Sequence, residues 1–233
     1  MSKRTDLTDR SDGLIQAIYI MGLIAVDIVL LPSQDVHDLA VAQNRRLVAE
    51  GNSQIVLGPN EAIPHISLVM GCMDRRFVGK VEGIMQECIG QVATGPLTIM
   101  GIAIMTNRLG QRISSLLVQK TDWLQMLHEI LLRQTEDIFS YRPQPSMIYG
   151  RGPVSQSTLD WIGSYRKQSS FHNFWPHITL GYGVASPIEL PVCFEAQAIA
   201  LCHLGDHCTC RKVLAEVQSG LTRGPQDPSA DTC

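Results

Sequence analysis

The sequence predicts a compact protein of mixed helices and strands, folded as one unit from two related halves. Three observations lead there. Strand-like and helix-like hydrophobic patterns alternate along the middle of the chain. Two pairs of strand patterns are separated by turn residues alone, as in antiparallel hairpins. Most informative, Pro-His-Ile-Ser-Leu at 64–68 returns as Pro-His-Ile-Thr-Leu at 176–180, 112 residues later. Such a repeat suggests two halves that each give one copy to a shared site.

Composition sets the bounds. The 233 residues, 45% hydrophobic and 18% charged with a formal charge of −3, suit an ordinary folded protein and not a disordered or strongly basic one. That charge argues against extended duplex DNA as a partner and leaves a short, locally gripped strand or a nucleotide. Seven cysteines, an odd number, suggest reduced thiols and a cytoplasmic setting. A single domain is expected over residues 13–217, between a flexible tail at 1–12 and another at 218–233.

The run Leu14 to Leu31 follows Lys3, Arg4 and Arg10, as a signal peptide or a membrane span would. Gln16, Gly22 and Asp27 interrupt it, and its β-branched second half suits a buried strand at Ile24–Leu31. Pro32-Ser33 then opens a helix with Val36, Leu39, Ala40 and Leu47 on one face. After a loop at 51–60 comes a short strand at Pro64–Met70. A helix starting near Asp74 carries Phe77, Val81, Ile84, Met85, Cys88 and Val92 at helical spacing, which is core packing.

Leu97–Met105 and Arg112–Lys120 should pair across the turn at 107–110. Thr121 or Asp122 caps a helix running to about Phe139. Ser140–Pro153, rich in Pro and Gly, is a loop linking the halves. A helix at about Ser155–Tyr165, a polar loop at 167–173 and a strand at Pro176–Gly181 follow. Ala196–Leu204 and Cys208–Val217 flank Gly205-Asp206 as a terminal hairpin.

In a strand, residues i and i+2 share a face, so His65 and Ser67 look into one space, as do His177 and Thr179. Two imidazoles and two hydroxyls around one point, with no carboxylate or thiolate set beside them for a metal, suit a phosphodiester. Imidazole both takes and gives protons near neutral pH. The hydroxyls can donate to nonbridging phosphate oxygens.

These motifs resemble those of the two-histidine phosphoesterase superfamily, which includes 2′-5′ RNA ligase-like proteins and cyclic nucleotide phosphodiesterases. Its mark is two copies of His-x-Thr/Ser followed by a hydrophobic residue, which HISL and HITL match. The resemblance covers Ile24 to Val217 and implies an α+β, bilobed fold: two pseudo-symmetric antiparallel β-sheets meeting at a central cleft, with helices outside. It implies a metal-independent enzyme without cofactor, with His65 and His177 as catalytic acid and base and Ser67 and Thr179 binding phosphate. No arginine follows HITL closely, which leaves the phosphate-gripping cation among Arg75, Arg76, Arg112, Lys120 and Arg151, with Arg151 the candidate chosen.

Trp175 and Tyr182, with Phe171 and Phe174, are placed to stack a base or to pack in the core. His37 and His128 lie on helices as surface or packing residues. The run Cys202-His203-Leu204-Gly205-Asp206-His207-Cys208-Thr209-Cys210 is a competing zinc signal, although its spacing is not that of a finger or ribbon. The expected substrate is a nucleotide or short RNA, with 2′,3′-cyclic phosphate opening or 2′-5′ linkage cleavage or ligation as the reaction. No membrane partner is expected, and the protein should be a monomer. The alternatives are a noncatalytic nucleotide- or RNA-binding module using the same cleft, and a zinc-stabilised interaction domain.

Overall fold

The structure is a computed structural model, and it describes residues 22–107 and 109–218. Both expected tails lie outside the described residues apart from Gln218, as does the first part of the Leu14–Leu31 run. The rest of that run is a strand, β1 (Leu23–Pro32), buried almost throughout as its β-branched composition requires. No described helix is long and apolar enough to cross a membrane.

After β1 the order is α1 (Gln34–Ala49), β2 (Ile66–Asp74), α2 (Val78–Gly90), β3 (Leu97–Thr106), β4 (Arg112–Val118), α3 (Asp122–Gln134) and α4 (Gln156–Gln168). The chain closes with β5 (His177–Tyr182), β6 (Val192–Phe194), β7 (Ala196–Leu204) and β8 (Cys210–Gln218). The fold is α+β, with two antiparallel four-stranded sheets ordered β2-β1-β7-β8 and β5-β4-β3-β6. Each motif strand, β2 or β5, is therefore an edge of its sheet.

Most boundaries follow local signals. Thr121 caps α3 by accepting from the Leu124 N–H, and Asp74 accepts from the Arg76 N–H where the chain turns through a 3₁₀ turn into α2. The expected helix from Asp74 thus begins four residues later. The helix expected to reach Phe139 ends at Gln134, where the Thr135 hydroxyl turns back onto the Leu131 carbonyl. The strand β6 carries no periodic pattern over its three residues, so nothing in the sequence marks it.

One hydrophobic core runs through both sheets, joining Ile28 and Leu30 of β1 to Leu116 of β4 and Leu180 of β5, with Leu47, Met85 and Leu127 from the helices. A smaller cluster on the other face of the first sheet packs Ala25, Val29, Met70 and Cys202 beneath Ile162 and Tyr165 of α4.

The repeated glycine after each motif has two different causes. Gly181 has φ +140°, a conformation few side chains adopt. At Gly71 the cause is space, since a Cβ there would lie 3.0 Å from the Phe139 ring.

Candidate active site

His65 stands immediately before β2 and His177 opens β5. Along both strands Ile66, Leu68, Ile178 and Leu180 are fully buried, while His65, Ser67, His177 and Thr179 stay partly open. The two-residue alternation thus turns both histidine–hydroxyl pairs away from the core.

The same local device orients both rings. His65 Nδ1 lies 2.7 Å from the Ile63 carbonyl and His177 Nδ1 lies 2.8 Å from the Trp175 carbonyl, in each case two residues upstream. A carbonyl can only accept, so Nδ1 carries the hydrogen and Nε2 keeps its lone pair in the neutral ring. The proline between the two residues has a role in this. It holds the preceding residue in extended backbone, from which the carbonyl reaches the imidazole, and at the mouth of an edge strand its missing N–H costs no ladder bond.

All four motif side chains line one cleft of about 500 Å³, within the usual range for small-ligand sites. The chain is similar in structure to E. coli LigT. The apo crystal structure of LigT matches at 11% identity and a TM-score of 0.43, over 84% of this chain and 98% of LigT. No family model and no curated protein matches the chain.

Burial governs the charges in the cleft. It pushes the His65 imidazole down to about 4, and the nearby His177 adds to that, against the opposing bond to the Ile63 carbonyl. His177 is also lowered by burial, opposed by its bond to the Trp175 carbonyl.

Asp27, named in the sequence only as an interruption of the Leu14–Leu31 run, brings a carboxyl beside the first motif that the motifs themselves did not predict. It lies in the middle of β1, fully buried, and its Oδ2 accepts from the Ser67 hydroxyl at 2.6 Å. The same oxygen is 4.0 Å from His65 Nε2. Among the described residues Oδ1 has no hydrogen-bond partner. Burial pushes this carboxyl up to about 7, against the lowering effect of the Ser67 bond. The only sequence signal was an acid inside a β-branched run, which reads equally as an interruption of a membrane span.

Ser115 of β4 pairs with Thr179 and also lines the cleft, its buried hydroxyl unpartnered among the described residues. Among the described residues the Thr179 hydroxyl makes no hydrogen bond, whereas that of Ser67 is engaged by Asp27. The two motifs are therefore alike in their histidines and unlike in their hydroxyls.

Trp175 lines the cleft with its ring 4.6 Å from that of His177. Tyr182 also lines it, its hydroxyl 3.1 Å from His207 Nδ1. Phe174 stacks flat on His128 at 4.2 Å. His128 is a packing residue, as one of its two readings had it: Nδ1 donates to the Leu68 carbonyl and Nε2 accepts from the Phe171 N–H, tying β2 to the loop before β5. Arg151 is exposed in the loop after Gly150 and is not among the residues lining the cleft. Nor are Arg75, Arg76, Arg112 and Lys120. Arg76 is paired with Asp74, and Lys120 donates to the His172 and Phe174 carbonyls.

The cysteine and histidine run is dispersed by its hairpin. His203 turns its Nε2 to the Met147 carbonyl, His207 meets Tyr182, and the Cys202 and Cys210 thiols share a hydrogen bond in the smaller cluster. Among the described residues no three His, Cys, Asp or Glu side chains gather as a metal-binding group. The expectation of seven reduced cysteines needs one correction: Cys193 is disulfide-bonded, while Cys72, Cys88, Cys202, Cys208 and Cys210 are free.

Proposed function

We propose that this protein is a metal-independent phosphoesterase of the two-histidine type, acting on an RNA-like phosphodiester within a nucleotide or short RNA. The reaction is 2′,3′-cyclic phosphate opening or 2′-5′ linkage cleavage or ligation. One observation carries the reading: two His-x-Ser/Thr motifs, on edge strands of different sheets, open on one cleft with both imidazoles held in the same tautomer. One free Nε2 takes the proton of the attacking oxygen, and the other, protonated, supplies the leaving oxygen. His65 and His177 share the roles of base and acid, divided between them by the side on which the leaving oxygen lies. Thr179 offers its hydroxyl to a nonbridging oxygen, and Trp175 presents a face at the cleft on which a base can stack.

The test is a turnover screen of 2′,3′-cyclic nucleotides, 2′-5′-linked dinucleotides and RNA ends, with and without EDTA. A substrate should turn over in EDTA. His65→Ala and His177→Ala should each lower its kcat by about 10² or more, the scale of a lost general acid or base, with KM changed much less. If both variants match wild type, the cleft binds without catalysing. A requirement for added divalent ion would overturn the metal-independent mechanism.

A further inference from the structure

We propose that Asp27 is a buried positioning residue that sets the direction of the Ser67 hydroxyl, so that the first motif grips an anion only while Asp27 holds a proton. This rests on the cleft being an anion site, as in the function proposed above.

A hydroxyl has one hydrogen to donate, and an ionised carboxylate can only accept. At 2.6 Å from Oδ2, Ser67 spends its hydrogen on Asp27 whenever the acid is ionised. Its oxygen lone pairs, together with a buried negative charge, then face the place where a phosphate would sit. Protonated Asp27 reverses the chain: the acid donates to Ser67 Oγ, and the Ser67 hydrogen is released towards the cleft. The second motif has no such gate, because among the described residues no acid is bonded to the Thr179 hydroxyl.

The surroundings favour a protonated acid. Asp27 is fully buried, and among the described residues Oδ1 lacks the partner an ionised carboxylate needs. The groups facing it are His65 before β2, Cys202 of β7, Cys210 of β8, Cys208 in the hairpin turn and Tyr165 of α4. Thiols and a phenol carry no positive charge in either protonation state, so they cannot offset an ionised Asp27, and burial, which raises Cys208, Cys210 and Tyr165, keeps those three neutral at neutral pH. His65 is the one facing base, and burial holds it neutral. A single proton on Asp27 thus leaves His65 free as a base and Ser67 free as a donor.

By linkage, an anion that prefers the protonated state must raise the Asp27 titration midpoint. The experiment follows the Asp27 carboxyl by ¹³C NMR in aspartate-labelled full-length protein, assigned by difference from Asp27→Asn. The probes are inorganic sulfate, whose charge is constant over the range, and adenosine 2′,3′-cyclic phosphate. Each should raise the midpoint by about one unit, with affinity falling about tenfold between pH 6 and 9, the scale of one hydrogen bond to an ionised group. Asp27→Asn, whose amide always donates to Ser67, should bind with little pH dependence. In Ser67→Ala the ligand-induced rise should shrink by more than half.

A midpoint near the ordinary carboxylate value overturns the proposal, as does one that neither probe raises. An unchanged rise in Ser67→Ala removes Ser67 from the linkage and overturns it as well. If the midpoint responds to sulfate while no phosphodiester is turned over, the gate stands and the enzymatic reading fails.

Discussion

Asn44 is a small side chain on which the position of the second motif depends. It is fully buried on α1, where its Nδ2 donates to the Ile55 carbonyl at 2.8 Å and the Leu180 carbonyl at 2.7 Å. Its Oδ1 accepts from the Leu57 N–H at 2.8 Å. One carboxamide thus ties a helix, the loop ahead of β2 and the strand bearing His177. Asn44→Ala deletes three buried hydrogen bonds at about 1 kcal/mol net each, and the groups left unpaired in the core raise the cost further. The expected loss is about 3–5 kcal/mol, a large part of the 5–15 kcal/mol by which a domain is usually stable. Asn44→Asp keeps the shape but aims a carboxylate at two carbonyls. It should be at least as damaging at pH 7 and milder at pH 4, where a protonated acid recovers one donation. Equilibrium urea unfolding followed by tryptophan fluorescence measures both. A loss below about 1 kcal/mol for Asn44→Ala would show that the three bonds are replaced by solvent and that the argument from burial is wrong.

Other consequences are as direct. Asp27 has a folded-state pKa raised to about 7 from 3.8, so its contribution to stability is full below the lower value and is lost as pH rises through the higher one. Relative to wild type, Asp27→Asn should therefore gain about 2.6 kcal/mol between pH 5 and pH 8; parallel urea stability curves would contradict this. Thr179→Ala removes a hydroxyl with no described partner, so it should cost the fold under about 1 kcal/mol while weakening sulfate binding several-fold. Equal sulfate affinity in the variant would take Thr179 out of the anion site. Gly71→Ala drives a Cβ to 3.0 Å from the Phe139 ring and should destabilise by about 1–3 kcal/mol, read as a lowered melting temperature. An unchanged melting temperature would mean that Phe139 moves aside freely.

Local rules carried much of this protein. The two-residue alternation placed Ile66, Leu68, Ile178 and Leu180 in the core and turned His65, Ser67, His177 and Thr179 out of it. The repetition of the motif named both histidines, and Thr121 and Asp74 marked helix starts through capping that acts over two or three residues. What the tertiary structure alone decided is which strands are neighbours. Ser67 lies 40 residues from Asp27 in sequence and one strand away in the sheet, a pairing set by β1 running antiparallel to β2 with its register shifted between Ile28 and Val29. Arg151, chosen for its charge and its loop, stands outside the cleft, while the neutral Ser115 and the buried Asp27 reach it or lie beneath it. Periodicity and capping are encoded within one turn or a few strand residues, whereas strand order and register arise from burying distant apolar faces together, which no short stretch of sequence specifies.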